Sequence, residues 1–479
     1  PDCMRRTKIV ATLGPGSSSP EVIEDMIRAG VDVFRLNFSH GTHEEQRHRN
    51  ALIRICSEKA GRIVGVLADL QGPKIRTGRF VGGRVQLIRG EHFILDANLG
   101  DDDGTNERVG ITYKDLPGDV KPGNMLLLDD GRVELEVVDV KGNEIHCTVG
   151  YTCELSDNKG INLKGGGLSA PALTEKDKED IKAAAELDVD YVALSFARSA
   201  DDVHLCRDYV RKAGCEAGIV TKVERADAIT NIDEIIEASD VIMVARGDLG
   251  VELGDAELPA IQKSMIKKSR SLNKVVITAT QMMESMIDNP IPTRAEVFDV
   301  ANAVLDGTDA VMLSGETAVG RYPVKVVQAM SRICEHAELQ REALESDHRL
   351  NLTFGKVDEA IAMATMYTAN HLDVAAIASL TESGNTVLWM SRISSGIPIY
   401  ALTRHRRTQR KVALYRGVYP VNVEKDKIGP VKVAQCVADI LLDRSIVEKG
   451  QRIIMTRGNL IDERGAGTNT MKIVDIPGE

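Results

Sequence analysis

Eight short apolar runs, rich in β-branched residues and each followed by a helix-like stretch, recur along the first two thirds of the chain. They are KIVATLG (8–14), VDVFRLNFSH (31–40), IVGVLADL (63–70), DYVALSF (190–196), GIVTKVE (218–224), DVIMVARGD (240–248), KVVITATQ (274–281) and DAVMLSGET (309–317). Continuous apolar runs of this length, bounded by turn residues, are the pattern of strands buried on both faces of a parallel sheet. Helical patterns such as SPEVIEDMIRAG and EEQRHRNALIRICSEKAG lie between them. Eight β/α units in succession predict a (β/α)8 TIM barrel, whose active sites are built at the C-terminal ends of the strands.

The spacing breaks once, between the third and fourth runs, where about 120 residues intervene. Within that gap GRVQLIRG, EHFILDA, GNMLLLDDGRVELEVVDV and NEIHCTV alternate apolar and polar residues between Gly, Asp and Pro turns, which predicts a small inserted β-barrel or sandwich. A domain inserted at a strand's C-terminal end lies over the barrel mouth, where it can act as a lid. After the helical stretch 322–345, helix VDEAIAMATMYTANHL opens a second α/β unit, read as a doubly wound sheet. The expected division is a catalytic barrel over 1–78 and 170–345, a β lid over 79–169 and a C-terminal α/β regulatory domain over 346–479.

At 479 residues the chain is long enough for several domains. Its formal charge of −11 argues against nucleic-acid binding, which needs a concentrated Lys/Arg surface. The basic run TRHRRTQRK (403–411) reads as a solvated helix start and interface face. Eight cysteines without a C-x-x-C pair read as reduced thiols, and no apolar run has membrane-spanning length. A cytoplasmic protein with no membrane partner is expected.

Strands buried on both faces should be apolar throughout, yet most of these carry charged or hydroxyl residues at their C-terminal ends. Arg35, Asn37 and Ser39 share one face of the second run by their spacing of two; Asp69 closes the third; Lys222 and Glu224 share a face of the fifth. Arg246 and Asp248 are read the same way in the sixth, Thr280 ends the seventh, and Ser314 with Glu316 ends the eighth. One such residue alone is an ordinary helix cap or surface pair. A ring of mixed charge at the functional face implies a metal, an anionic ligand or both, because uncompensated buried charge costs several kcal/mol.

Glu224 and Asp248 on adjacent strands offer the sparse oxygen ligation that Mg²⁺ accepts, and no His or Cys accompanies them. Lys222 beside them, with Arg35 and Arg76, suits a transferring phosphoryl group. The segment ARGDLG supplies backbone N–H groups that can open a short helix and bind a carboxylate. On chemistry alone the reading stops at Mg²⁺-dependent work on a phosphorylated or carboxylated small molecule.

The strings RLNFSHG (35–41), DLQGPKIRTG (69–78), TKVER (221–225), MVARGDLGVE (243–252), ATQMMESM (279–286), PTRAEVFDVANAV (292–304) and LSGETAVGRYP (313–323) together resemble pyruvate kinase along the whole chain. The resemblance implies phosphoryl transfer from phosphoenolpyruvate to ADP, giving pyruvate and ATP, in a cytoplasmic homotetramer. It implies Mg²⁺, with Mn²⁺ as a substitute, on Glu224 and Asp248, and Lys222 stabilising the phosphoryl group in flight. Gly247, Asp248 and Thr280 would hold the phosphoenolpyruvate carboxylate, and Arg35, Arg76 and Lys176 would face nucleotide phosphates, with Asn37 and His40 beside them. Thr280, Ser314 and Glu316 become candidates for relaying a proton to the enolate. The rival readings are a Mg²⁺-dependent lyase or aldolase acting on pyruvate enolate, and a non-catalytic metabolite-binding protein.

Three departures from the family pattern carry expectations. Many pyruvate kinases hold K⁺ partly through a Thr just after the third-strand Asp and carry Glu a few residues on; this chain has Leu70 and Lys74 there. Leu cannot ligate a cation and an ammonium is a fixed positive charge, so K⁺ is expected to be dispensable. Val319 replaces a frequent Lys and reads as tolerated variation. In the tail, Thr381, Ser383, Gly384 and Thr386 resemble the family's phosphate-binding effector loop, with Glu382 where fructose-bisphosphate-activated relatives tend to carry a basic residue. A monophosphate activator, AMP or a sugar phosphate, is therefore expected over fructose 1,6-bisphosphate.

Overall fold

In the computed structural model, which describes residues 4–340, 344, 349–424, 428, 432–458 and 467–478, the eight apolar runs form eight parallel strands. These are Lys8–Leu13, Val33–Asn37, Gly65–Asp69, Tyr191–Leu194, Gly218–Val223, Val241–Ala245, Val275–Ala279 and Ala310–Leu313. They follow one another in chain order around a closed barrel, which shuts where Lys8 pairs with Ala310. The strand period of two divides their side chains: Val10, Leu67, Val220 and Ile277 pack in one buried cluster, while Ile9, Val66, Ile219 and Val276 pack with the surrounding helices in another. The intervening helices begin where the sequence places caps. Thr42, Thr174 and Thr293 each accept from the backbone three residues on, and Glu45, Asp177 and Glu296 return the bond.

The insertion leaves the barrel after the third strand and returns before the fourth. Its strands Ile161–Leu163, Met125–Leu128, Val133–Lys141, Glu144–Val149, His92–Asp96 and Arg108–Gly110 lie side by side in that order, while Arg84–Leu87 and Cys153–Ser156 form a separate antiparallel ribbon. Their inward residues, among them Phe93, Leu126, Leu135 and Cys147, build an independent apolar core.

The C-terminal unit is a five-stranded sheet in the spatial order Val418–Asn422, Ile399–Thr403, Ala376–Leu380, Arg452–Arg457 and Thr470–Asp475. The first four strands are parallel and the last is antiparallel. This order places the topological switch point between Ala376–Leu380 and Arg452–Arg457, as in doubly wound sheets. The expected boundary at 345/346 lies outside the described residues.

This unit seals the barrel at the end opposite the mouth. Met390, Leu414 and Tyr415 join the same apolar cluster as the barrel interior, and the Tyr191 hydroxyl donates to the Lys411 carbonyl at 2.7 Å. The basic run forms the helix Arg406–Val412 on that interface, where Arg407 approaches Asp188 at 3.4 Å and Lys411 donates to the Glu216 carbonyl. Arg392 enters from the C-terminal unit with only 1% of its surface exposed. It pairs with both oxygens of the buried Asp309 and donates to the Lys274 carbonyl at 2.6 Å. Asp309 in turn accepts from Val276 N and Arg416 N, both at 3.0 Å. Removing one partner of a buried pair strands the other charge, so Arg392→Ala should lower unfolding free energy by about 3–5 kcal/mol. Urea denaturation is the check, and a loss within experimental error would show the pair to be dispensable.

Candidate active site

Each of the eight barrel strands delivers an ionisable or hydroxyl group to one mouth, on the strand or just past its end, and the network centres on Asp69. Its carboxylate, 1% exposed, accepts from Arg35 Nε at 2.7 Å and from Lys222 Nζ at 3.3 Å. Burial by itself would raise the Asp69 pKa, but Lys222 and Arg35 hold it below the usual carboxylate range. Lys222 also meets Ser195 Oγ at 3.1 Å and Glu224 Oε1 at 3.1 Å. Burial would lower its pKa, and Asp69 and Glu224 outweigh that, so the ammonium stays charged. The second Arg35 branch donates to Thr12 Oγ1 at 3.1 Å.

Glu224 lies one residue past its strand and accepts from Phe196 N at 2.7 Å. Asp248 stands across from it: burial first, and the Glu224 charge second, push the Asp248 carboxyl up to about 6. A carboxyl raised by burial and by a neighbouring carboxylate marks a place short of positive charge. Among the described residues no group of three or more His, Cys, Asp or Glu could hold a metal. A pair of oxygen donors fits Mg²⁺, which keeps waters and substrate oxygens in its remaining positions.

Here the period-two reading of the sixth run is corrected. The sixth strand ends at Ala245, and Arg246 and Asp248 lie in the first turn of helix Arg246–Leu253. They do not share a face. Arg246 turns away to Asp299, at 2.6 and 2.8 Å, and to the Ala279 and Thr280 carbonyls. The helix begins directly after the strand, so side chains two residues apart are turned by about 200° around its axis rather than aligned. The eighth strand likewise ends at Leu313, with Ser314 and Glu316 at the start of a short helix.

Thr280 follows its strand with φ of +67°, a left-handed conformation costly for a β-branched residue. Its hydroxyl accepts from Gly247 N at 2.8 Å, so the seventh strand's end is tied to the helix that carries Asp248. Ser314 Oγ is buried without a hydrogen-bond partner. Glu316 is buried, which raises its pKa, and its carboxylate accepts from Ser314 N at 3.2 Å.

Cations gather on the other side of the mouth. The His40 pKa is lowered by burial and then by Lys74, Arg76 and Arg35, which places these groups together. The Lys74 pKa is lowered by burial, Arg76 and Lys222, with Asp69 and Glu224 opposing, and Lys74 lines the same cleft as Asp248. A cleft of about 250 Å³ between lid and barrel is lined by Lys74, Arg76, Asp130, Arg225 and Asp248. A neighbouring one of about 310 Å³ is lined by Lys74, Thr112, Tyr113 and Lys176. Lys176 Nζ is already engaged by Asp180 at 2.5 Å and by the Phe38 carbonyl at 2.7 Å. Asn37 Oδ1 accepts from Ser39 N at 3.0 Å.

The four tail residues are distant from this mouth, in the loop after strand Ala376–Leu380. Gly384, at φ +86°, donates to Thr381 Oγ1 at 2.9 Å; Ser383 Oγ accepts from Asn385 N; Thr386 is buried against Thr468 at 2.6 Å. Glu382 pairs with His405. Sequence reasoning did not single out Ser195 or Thr12, and Asp69 entered it only as a strand end. Their common signal was a polar residue at a position where the strand pattern calls for an apolar one.

Comparison with known proteins agrees along the full length. The family model "Pyruvate kinase, barrel domain" matches residues 4–327, and "Pyruvate kinase, alpha/beta domain" matches residues 359–474. Pyruvate kinase II of Salmonella typhimurium is 54% identical over 99% of this chain and 99% of its own. A pyruvate kinase of Buchnera aphidicola is 52% identical over 98% of this chain and 99% of its own. The crystal structure of a Cryptosporidium parvum pyruvate kinase superposes with a TM-score of 0.91 at 34% identity, covering 99% of this chain and 96% of that one. The chain belongs to the pyruvate kinase family and is a phosphotransferase.

Proposed function

We propose that the barrel mouth transfers a phosphoryl group from phosphoenolpyruvate to ADP, giving pyruvate and ATP. The observation that carries this reading is Lys222, a buried ammonium 3.1 Å from Glu224 and tied through Asp69 to Arg35. Glu224 and Asp248 would hold Mg²⁺, with Mn²⁺ as a substitute; when bound it supplies charge neutralisation between the phosphoryl oxygens of the two substrates. Lys222 and Arg35 place fixed positive charge where negative charge accumulates on the group in flight. Thr280 and the backbone at Gly247 and Asp248 seat the phosphoenolpyruvate carboxylate. Asn37, His40, Arg76 and Lys176 face the nucleotide, and the lid excludes water from the cleft. Thr280, Ser314 and Glu316 pass a proton to the enolate; the unpartnered Ser314 hydroxyl has capacity free for that role.

Pyruvate kinases generally use Mg²⁺ and K⁺. In this chain Lys74 supplies the monovalent charge, a reading supported by Leu70 at 1% exposure and by the place of Lys74 in the cleft lined by Arg76 and Asp248. The tail loop binds a phosphorylated activator, AMP or a sugar monophosphate. Its place after strand Ala376–Leu380, at the switch point of the sheet, supports a ligand crevice there, and Glu382 disfavours a second phosphate. The chain works as a homotetramer in the cytoplasm, with barrel, lid and regulatory domain divided as its sequence suggests. Ile291 and Phe298, 72% and 70% exposed at and just before helix Arg294–Asp306, support association. Among the described residues no helix is long and apolar enough to cross a membrane.

A coupled assay of ADP-dependent pyruvate formation tests the reaction itself; pyruvate release without ADP would sink it. Lys222→Met should cut kcat by roughly 10²–10³ or more while phosphoenolpyruvate still binds, and near-normal turnover would remove Lys222 from the mechanism. Turnover in a buffer free of K⁺ and NH₄⁺ should keep its order of magnitude, whereas a fall by orders of magnitude would return the monovalent site to an ion. At subsaturating phosphoenolpyruvate, AMP or a sugar monophosphate should activate, and activation by fructose 1,6-bisphosphate alone would contradict the effector assignment.

A further inference from the structure

The lid's sheet carries a pair of imidazoles on the face turned away from its core. In the antiparallel pairing of His92–Asp96 with Glu144–Val149, His92 lies opposite Thr148, Ile94 opposite His146 and Asp96 opposite Glu144. Phe93, Leu95, Ile145 and Cys147 enter the lid's apolar core, so the strand period of two sends His92, Glu144 and His146 to the other side.

His92 Nε2 stands 2.8 Å from His146 Nδ1, with the two rings stacked at a centroid distance of 5.0 Å. The far nitrogen of the second ring, His146 Nε2, meets Glu144 Oε2 at 2.9 Å. Arg108 anchors the other Glu144 oxygen at 3.0 Å and is itself held by Asp96 at 2.8 Å. Hydrogen bonds from Arg108 first and His146 second keep the Glu144 carboxyl below its usual range, and an ionised carboxylate only accepts. His146 Nε2 therefore carries the hydrogen, and Nδ1 presents its lone pair to His92. A carboxylate behind one nitrogen, with the lone pair of the other aimed outward, is how a metal-ligating histidine is oriented.

The spacing of the two free nitrogens fits the same role. Bonds of about 2.0–2.1 Å to two imidazoles at roughly 90–109° separate their nitrogens by about 2.8–3.4 Å, and the observed 2.8 Å lies at the lower end of that range. Solvent reaches the pair through the exposed His92, while only 14% of the His146 side chain is exposed. One ring is thus fixed and the other free to adjust.

We propose that His92 Nε2 and His146 Nδ1 form an open binding site for a divalent transition metal of the zinc class, with Glu144 as the positioning residue behind His146 and water in the remaining positions. On binding, His92 releases the hydrogen on Nε2 and takes one at Nδ1, so its ring stays neutral while the ion replaces the hydrogen bond between the rings. Imidazole donors favour Zn²⁺, Cu²⁺ and Ni²⁺ over Mg²⁺, which separates this site chemically from the carboxylate pair at the mouth, where both clefts are lined by other residues. The two rings lie 54 positions apart and meet only once their strands pair, so the ion binds the folded lid and stabilises it.

Equilibrium dialysis of the full-length, tag-free protein against Zn²⁺, with Mg²⁺ in excess to occupy the mouth, should show one saturable site per chain. His92→Ala and His146→Ala should each abolish that site and keep parent-like Mg²⁺-dependent turnover, which reports that both variants fold. Glu144→Gln leaves both ligands in place and should weaken Zn²⁺ by about 10- to 100-fold. No saturable site in the parent, or an undiminished one in both histidine variants, would overturn the proposal. Unchanged affinity in Glu144→Gln would remove the positioning role of Glu144.

Discussion

A carboxylate with almost no contact with water, Asp69, holds two cations at the mouth of this barrel, and the rest of the site is arranged around that charge balance. Arg35 and Lys222 each have a second partner, Thr12 for the one and Ser195 with Glu224 for the other. Neither cation would tolerate burial alone. Their strands bring them into contact because all eight run the same way, so that every polar strand end meets at one rim.

The opposite rim is built on another principle. There the interior of the barrel continues into the core of the C-terminal unit, and the polar groups that enter it, Arg392 and Asp309 above all, are matched within the protein. The mouth keeps polar groups incompletely matched: Ser314 Oγ without a partner, and Asp248 raised by its own neighbour. A floor whose central charges are paired within the protein and a carboxylate pair at the rim short of positive charge are the physical division between support and chemistry. Asp309 begins the strand that ends before Ser314 and Glu316, and Lys274, whose carbonyl Arg392 holds, precedes the strand that leads to Thr280. The C-terminal unit thus bears on the two strands closest to the proposed proton relay.

The lid adds a third element. Its core is its own, and the other face of the same sheet carries His92, Glu144 and His146. Its stem, Gly165 to Gly167, has left-handed backbone that hydrogen bonds to the Glu252 carbonyl and the Asp227 carboxylate fix from the barrel side.

Much of this was legible in the sequence. Eight β-branched runs, each followed by a helix-like stretch, read as eight successive β/α units and so as a parallel barrel, and one break in their spacing places the lid. Lys222 with Glu224 could be read as neighbours because the four strand residues before Lys222 are regular and the extended run carries to the residue just past its end. The same period failed for Arg246 with Asp248, because a helix starts at Arg246 and rotates side chains two residues apart to different faces. Local pattern therefore determined which residues reach the mouth and from which strand. Only the tertiary structure decided that Asp69 bridges Arg35 and Lys222, that Thr280 grips Gly247, and that the lid stem is held beside the carboxylates. These contacts join residues up to 153 positions apart, and no periodicity along a chain carries the distance between side chains that folding brings together.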